Sequence, residues 1–478
     1  MLNSKIKDAL LTKQKQKEMI KHKLYRIFRL TTLFVNGLII FTIIFDPTID
    51  VTSFIDYYFF YQFLYFVVCI GLTFPFFELM VTTYTLQLLG SNIWLARWKL
   101  NLLIVYNPLD NYYVTNLLYI SIFAFITTLT INHSKLNEKL KLTVNRFKNY
   151  PKMGSVAINL FVVGFIFTVL NRLIPNIPTV KQLVNCLADL LYLSAICFFF
   201  SKHSFKWVYI GLILLLMLTI AFNSTLFFTA FLWMFFYFLY AQILNPWPLY
   251  IKLGAFVAVS FFLILVQAVK TEVRQKQGLN SSTSTFSKAL NDKSTQIQES
   301  NASFKKKYLS VLLNRINQTF FDHLVFKNEL KIENKPRPKT ILTSLFAAFI
   351  PRIFWPDKPS FDNGRLYELA GLNVRGAFIS ISLVAEAFIN FGYYGGAIFY
   401  VFFSFAVSLI VINIVKSAEK RIPLIIMFFP YLFFNLLRVE VDFTQIIYGL
   451  YSSMIFLVLL FLYFKQKGIN KEILKVKV

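Results

Sequence analysis

The sequence predicts an all-α polytopic membrane protein with about twelve transmembrane helices and one large polar segment late in the chain. Three observations predict it. Of 478 residues, 57% are hydrophobic and 18% aromatic, and the mean hydropathy is +0.59. A soluble core of this length cannot hide so much apolar surface, whereas lipid solvates the outer faces of membrane helices. The apolar residues are also gathered into runs close to the roughly 20 residues a helix needs to cross a bilayer. Finally, most Lys and Arg outside the polar segment lie beside those runs, as cytoplasmic anchors do.

Residues 1–29 hold nine Lys and Arg against Asp8 and Glu18. They read as a cytoplasmic basic segment, either a helix on anionic lipid or a solvated tail, and no cleavage site follows the first apolar run. Residues 30–269 form an N-terminal membrane block. Its nine expected spans lie near 30–45, 57–75, 79–95, 112–131, 155–170, 183–200, 207–222, 226–241 and 252–269. A polar island, 270–378, follows. Residues 379–464 form a C-terminal block with spans near 394–415, 422–437 and 446–464, and 465–478 is a cytoplasmic tail.

Charge tests that count. The 135–152 loop (Lys135, Lys139, Lys141, Arg146, Lys148, Lys152), the 416–421 loop (Lys416, Lys420, Arg421) and the Lys-rich tail should share the cytoplasmic side with the N-terminus. Twelve spans place them so. Without the 79–95 span the N-terminus would lie opposite, so that span is kept, although Pro75 and Glu78 leave a tight turn before it. The same parity puts the island outside.

The net charge of +26 is explained by this topology, and nucleic-acid binding is excluded as a partner class. Cys69, Cys186 and Cys197 all fall in expected spans, and His22, His133, His203 and His323 are scattered. Neither disulfide framework nor zinc motif is present. There is no P-loop and no dinucleotide fingerprint, so no cofactor is expected.

Within the island, 278–303 is rich in Ser, Thr, Asn and Gln and reads as a linker. Residues 304–332 have helical apolar spacing with a polar opposite face, ended by Lys335-Pro-Arg-Pro338. Residues 340–355 are apolar but short, and should lie in the interface or re-enter from the outer face. Trp355 would stop them at headgroup level.

Charged residues within or beside spans are functional candidates because their burial is costly. They are Glu78, Arg172, Asp189, Glu386, Arg438, Glu440 and Asp442, with Arg172 and Asp189 suited to a structural ion pair. Pyrophosphate demands permanently charged, multidentate donors, which guanidinium supplies. Lys270, Arg274, Arg315, Arg352, Lys358, Arg365, Arg375 and Arg438 form such a set on the outer side. Glu386 is a carboxylate in an apolar setting. It is a candidate general base, or else a structural hydrogen-bond acceptor. His323 is a second base candidate, expected to face outward. Asp357 suits a loop-fixing role, and Asn390 and Gly392 suit helix initiation and close packing before a Tyr393-Tyr-Gly-Gly396 turn.

The run Pro351-Arg-Ile-Phe-Trp-Pro-Asp-Lys-Pro359, followed by Glu386-Ala-Phe-Ile-Asn-Phe-Gly-Tyr-Tyr-Gly-Gly396, resembles the bacterial O-antigen polymerase family, the Wzy-type oligosaccharide repeat-unit polymerases. The order of many spans, one large late loop and a few more spans is similar too. The resemblance implies a GT-C-like, metal-independent glycosyltransferase in the bacterial inner membrane with the island in the periplasm. Its substrates would be repeat units on undecaprenyl pyrophosphate. The growing glycan would pass to the non-reducing end of a new unit, releasing the lipid pyrophosphate. Carried over by position, Arg352 and Lys358 match the Pro-Arg and Lys-Pro elements, and Glu386, Asn390 and Gly392 match the Glu…Asn-Phe-Gly element. Arg274, Arg315, Arg352, Lys358 and Arg375 would hold the pyrophosphate, and Arg352 would also act in catalysis. Glu386 or His323 would accept the proton, and Phe354, Trp355 and Tyr367 would stack on sugars. A flippase and a chain-length co-polymerase are the implied partners. The competing readings are an O-antigen ligase and, from another class, a lipid-linked oligosaccharide flippase or transporter.

Overall fold

The structure is a computed structural model that describes residues 2–73, 75–97, 111–131, 133–173, 184–224, 227–244, 246–259, 313, 317, 322–323, 326, 340–350, 355 and 381–476. Among them no strand forms; one isolated bridge joins Ile70 and Thr73. Five helices are long and apolar enough to cross a membrane: Lys23–Phe45, Tyr112–Thr130, Met153–Asn171, Leu383–Lys420 and Phe443–Gln466. Shorter apolar helices cover Val184–Phe200, Lys206–Ile220, Leu232–Ile243, Leu249–Val259 and Pro423–Phe433.

Two compact units emerge. The first gathers residues 1–131, 247–407 and 436–445. Its N-terminal helix, Leu2–Phe45, absorbs the basic segment without interruption. It stops where Asp46 precedes Pro47, because a residue before proline is driven out of the helical region. The sidedness of this helix is inverted relative to a soluble protein. Phe34 is 70% exposed and Phe41 61%, while Asn36 is 0% exposed. Asn36 accepts a hydrogen bond from the Tyr58 hydroxyl at 2.8 Å, and Thr32 shares one with Tyr61 at 2.8 Å. Polar atoms face the neighbouring helix Thr52–Cys69 and apolar ones face outward, which is how a helix solvated by lipid is arranged. At the other end of the pair formed with the Asn111–Thr130 helix, the Arg29 guanidinium donates to the Thr128 carbonyl at 3.1 Å. That satisfies a helix C-terminus with a cation.

The segment expected as the 79–95 span is helical from Phe76 to Arg97, with a π-helical stretch at Thr85–Gly90 between two α-helices. The wider turn alters which carbonyls are taken within the helix, and the Tyr112 hydroxyl donates to the Leu88 oxygen at 3.1 Å.

The second unit gathers 132–246, 408–435 and 446–478. The Met153–Leu173 helix packs on Leu190–Phe200, which also meets Lys206–Ser224. The expected 422–437 span is not one α-helix. It is a 3-10 turn (Pro423–Phe428), a short α-helix (Phe429–Phe433) and a second 3-10 turn (Asn435–Leu437). Pro423 and Pro430 each lack the N–H that a continuous helix needs. The carbonyl of Ile426 accepts from the Phe429 amide and also from the Tyr240 hydroxyl, the latter at 2.6 Å.

Three segments that charge parity places on one side meet in this unit. Lys139, on the basic helix His133–Asn149, pairs with Glu419, and Arg146 donates to the Glu419 carbonyl at 2.8 Å. Glu472, on the C-terminal helix Ile469–Leu474, accepts from the Tyr150 hydroxyl at 2.8 Å and from Lys152 at 3.2 Å. The Tyr150 hydrogen bond and then the Lys152 ammonium hold the Glu472 carboxyl below its ordinary value. A carboxylate so lowered supports docking above the ordinary Glu range, and that support is lost as pH falls through the lowered value. Hydrogen exchange of residues 469–474 should therefore quicken on acidification below about pH 4, and Glu472→Gln should remove that dependence. Equal pH dependence in the variant would contradict the assignment.

Candidate functional site

In the first unit, three helices begin around one carboxylate. They are Thr340–Phe349, Leu383–Lys420 and Phe443–Gln466. Each starts at a residue type suited to helix entry. Thr340 opens the first. The Ser382 hydroxyl accepts from the Ala385 amide at 3.1 Å before the second, and Asp442 accepts from the Gln445 amide at 2.8 Å before the third.

Glu386, in the first turn of the second helix, is 0% exposed. One carboxylate oxygen accepts from the Thr340 hydroxyl at 2.8 Å, and the other from the Phe443 amide at 2.6 Å. The Phe443 N–H is an orphan donor of a helix N-terminus, where the backbone dipole favours an anion. Asn390, one turn further on, ties the same corner. Its amide nitrogen donates to Thr340 Oγ1 at 2.8 Å and to the Glu386 carbonyl at 2.9 Å, and its oxygen accepts from the Ile341 amide at 3.2 Å. Ser344 Oγ shares a hydrogen bond with Thr444 Oγ1. The polar island is thereby fastened, at Thr340, to two helices of the C-terminal block.

The expected turn at Tyr393–Gly396 is a correction. The helix runs on through these residues, and the break falls at Gly392, with φ 70° and ψ −172°. That backbone conformation is open to glycine and strained by about 1–3 kcal/mol for other residues. Beside the break, the Tyr119 hydroxyl lies 3.0 and 2.8 Å from the carbonyls of Gly392 and Tyr393. A Cβ at Gly396 would stand 2.0 Å from that hydroxyl oxygen. Gly392 therefore makes the break, and Gly396 lets Tyr119 reach it.

The described residues of the expected 304–332 helix pack against this corner. Leu313 packs with Leu95, and Asn317 donates to Asn92 Oδ1 at 3.4 Å. Asp322, 0% exposed, accepts from the Ser382 amide at 3.0 Å. Phe326 stacks on Phe388 with centroids 4.0 Å apart and planes 10° apart. His323, expected to face outward, is half-buried with its ring edge-on to Tyr112 at 5.8 Å. Tyr112 also meets Phe326, edge-on with centroids 5.1 Å apart.

Of the other sequence-derived site residues, Trp355 is half-buried. Arg274, Arg315, Arg352, Phe354, Lys358, Tyr367 and Arg375 lie outside the described residues, as do Arg365, Asp357 and the side chain of Arg172. Arg438 pairs with Glu440 at 3.1 Å. Among the described residues no group of His, Cys, Asp and Glu is placed to hold a metal ion.

Thr340, Asp322 and Tyr119 were not singled out from sequence. Asp322 had no signal, since helical spacing puts it on the polar face of the expected 304–332 helix. Thr340 and Tyr119 had none, because their roles depend on partners tens to hundreds of residues away.

Searches of family models, curated proteins and solved structures return no match to this chain.

Glu386→Ala would leave the Thr340 hydroxyl and the Phe443 amide buried without their acceptor. Each loss costs about 1–3 kcal/mol. Thermal unfolding in detergent should show destabilisation of about 3 kcal/mol. Glu386→Gln, which keeps one acceptor and can donate to Thr340 Oγ1, should lose less than half of that. A stable Ala variant would contradict the structural role. Gly392→Ala should cost about 2 kcal/mol by the same measurement.

Proposed function

We propose that this chain is a membrane glycosyltransferase that polymerises oligosaccharide repeat units carried on a polyprenyl pyrophosphate. One observation carries the reading. The helix that leads into Pro351–Pro359, Thr340–Phe349, is pinned at its start by the Glu386 and Asn390 of the second motif. The helix that precedes the first motif in sequence is thus tied at its start to the second motif. Arg352 follows three positions after Phe349 in the chain. That tie supports the two motifs acting on one substrate, since positioning is the larger part of transfer catalysis.

The proposed twelve-span topology puts the island in the periplasm of the bacterial inner membrane, away from ATP and nucleotide sugars. The meeting of the 135–152, 416–421 and C-terminal segments in one unit supports their common side. The energy for bond formation then comes from the donor's own pyrophosphate linkage. The acceptor sugar hydroxyl attacks the anomeric carbon of the growing glycan, and the bond from that carbon to the pyrophosphate oxygen breaks. The departing pyrophosphate gains negative charge, which Arg274, Arg315, Arg352, Lys358 and Arg375 neutralise. The hydroxyl proton passes to a base. Glu386 has both carboxylate oxygens occupied and no exposure, so the reading gives it a positioning role. His323, half-buried against Tyr112, receives the proton. Phe354, Trp355 and Tyr367 stack on sugar faces. Extension, rather than transfer of finished polymer to a lipid core or flipping, is the step assigned, with a flippase and a chain-length co-polymerase as partners.

In a polymerase-null strain, Arg352→Ala should reduce the glycan ladder to single-unit caps at normal protein abundance. His323→Ala should lower extension by about 100-fold, the scale of a lost general base, without changing thermal stability. Full-length ladders from the Arg352 variant would sink the assignment. Bare lipid core with accumulated lipid-linked polymer would mean that the chain is a ligase.

A further inference from the structure

The second unit carries an apolar groove that the transferase reading does not use. It lies between the 3-10 turn Pro423–Phe428 and the second half of the Phe443–Gln466 helix, with a cavity of about 130 Å³. That is close to the roughly 150 Å³ that accepts one small hydrocarbon. Side chains from Leu457 to Phe464 line one wall, and Ile422 to Phe428 the other. At 1.5 Å per residue the first wall is about 10 Å long. The lining is entirely hydrocarbon side chains, and Val458 at its edge is 57% exposed. The groove is therefore open outward, on a helix that is apolar and long enough to lie in lipid.

One end differs from the other. Ile422 and Phe464 close the groove, and their sequence neighbours are Arg421 and Lys465, with Lys467 two residues further on. All three cations are exposed and make no ion pair among the described residues. The carboxylates of Glu419 and Glu472 in this unit are already matched, by Lys139 and Lys152. The other end, at Phe428 and Leu457, has no charged residue beside it in sequence. A hydrocarbon slot with cations at one mouth has the polarity of a lipid whose headgroup is an anion.

We propose that this groove is a binding site for an anionic phospholipid of the surrounding leaflet. One acyl chain lies along Leu457–Phe464, and the phosphate is held by Arg421, Lys465 and Lys467. Basic pockets between membrane helices take anionic headgroups in this way, and a slot without polar lining selects a chain and a charge, not a sugar. The site rests on membrane immersion and not on the transferase reading, and its readout is binding, not activity.

The test is native mass spectrometry of the full chain in detergent, titrated with dioleoylphosphatidylglycerol, dioleoylphosphatidylcholine or a polyprenyl phosphate. One phosphatidylglycerol should be retained and phosphatidylcholine released. Replacing Arg421, Lys465 and Lys467 by Gln should weaken phosphatidylglycerol binding by roughly fivefold per cation, about a hundredfold in all. Their exposure makes loss of fold from these exchanges a minor concern, and Val458→Trp, also at an exposed position, gives an independent arm by covering the groove with the cations intact. It should weaken binding as well. Equal retention of the two phospholipids, unchanged affinity in either variant, or tighter binding of the polyprenyl phosphate would overturn the proposal.

Discussion

The Glu386 carboxylate, sealed from solvent and shared between a threonine hydroxyl and a helix-terminal amide, is the contact on which the first unit's C-terminal half depends. A buried carboxylate is tolerated when its lone pairs are filled by donors and when a helix dipole faces it. Here both conditions are met by parts of the chain that are far apart in sequence: residue 340, residue 386 and residue 443. Removing the carboxylate would strand donors on two other helices. Asn390 repeats the logic one turn later, so the corner is a small closed network and not a single bond. Such networks rigidify what they join.

The rest of the fold follows from the solvent. Helices in lipid gain nothing from facing apolar side chains toward one another, so polar pairs and close approach hold them. Tyr58 with Asn36, Tyr61 with Thr32 and Tyr119 with the broken turn at Gly392 are contacts of this kind. Buried Ser404 and Ser408 beside exposed Phe402 and Phe405 repeat the inversion on the Leu383–Lys420 helix. Tyrosine hydroxyls recur at backbone carbonyls in or beside a π turn, a 3-10 turn and a glycine break. Many of the chain's 25 tyrosines lie in apolar runs, where such donors are otherwise scarce.

Much of the fold was legible in the sequence. Runs of apolar residues locate helices because hydrophobicity is a local property, and the three basic segments expected on one side touch one another. Helix continuity was less legible. The proline-containing 422–437 run is interrupted, and Tyr393–Gly396 continues as helix, because the positive φ falls at Gly392, three positions before the Gly395–Gly396 pair. At the site, Glu386 stands out in the sequence as a charge in an apolar setting, and the structure buries it. Its two partners were invisible, since nothing local distinguishes Thr340 or the amide of Phe443. His323 shows the converse: its helical position was readable, but the half-buried contact with Tyr112 was not.

The proposal that unites these features is an extension reaction driven by a lipid pyrophosphate. The most direct measurement uses the purified chain in proteoliposomes with repeat units on undecaprenyl pyrophosphate and no nucleotide or metal added. The account predicts glycans longer by whole repeat units, with one lipid pyrophosphate released for each linkage formed. Translocation of the lipid-linked unit without any extension would contradict it.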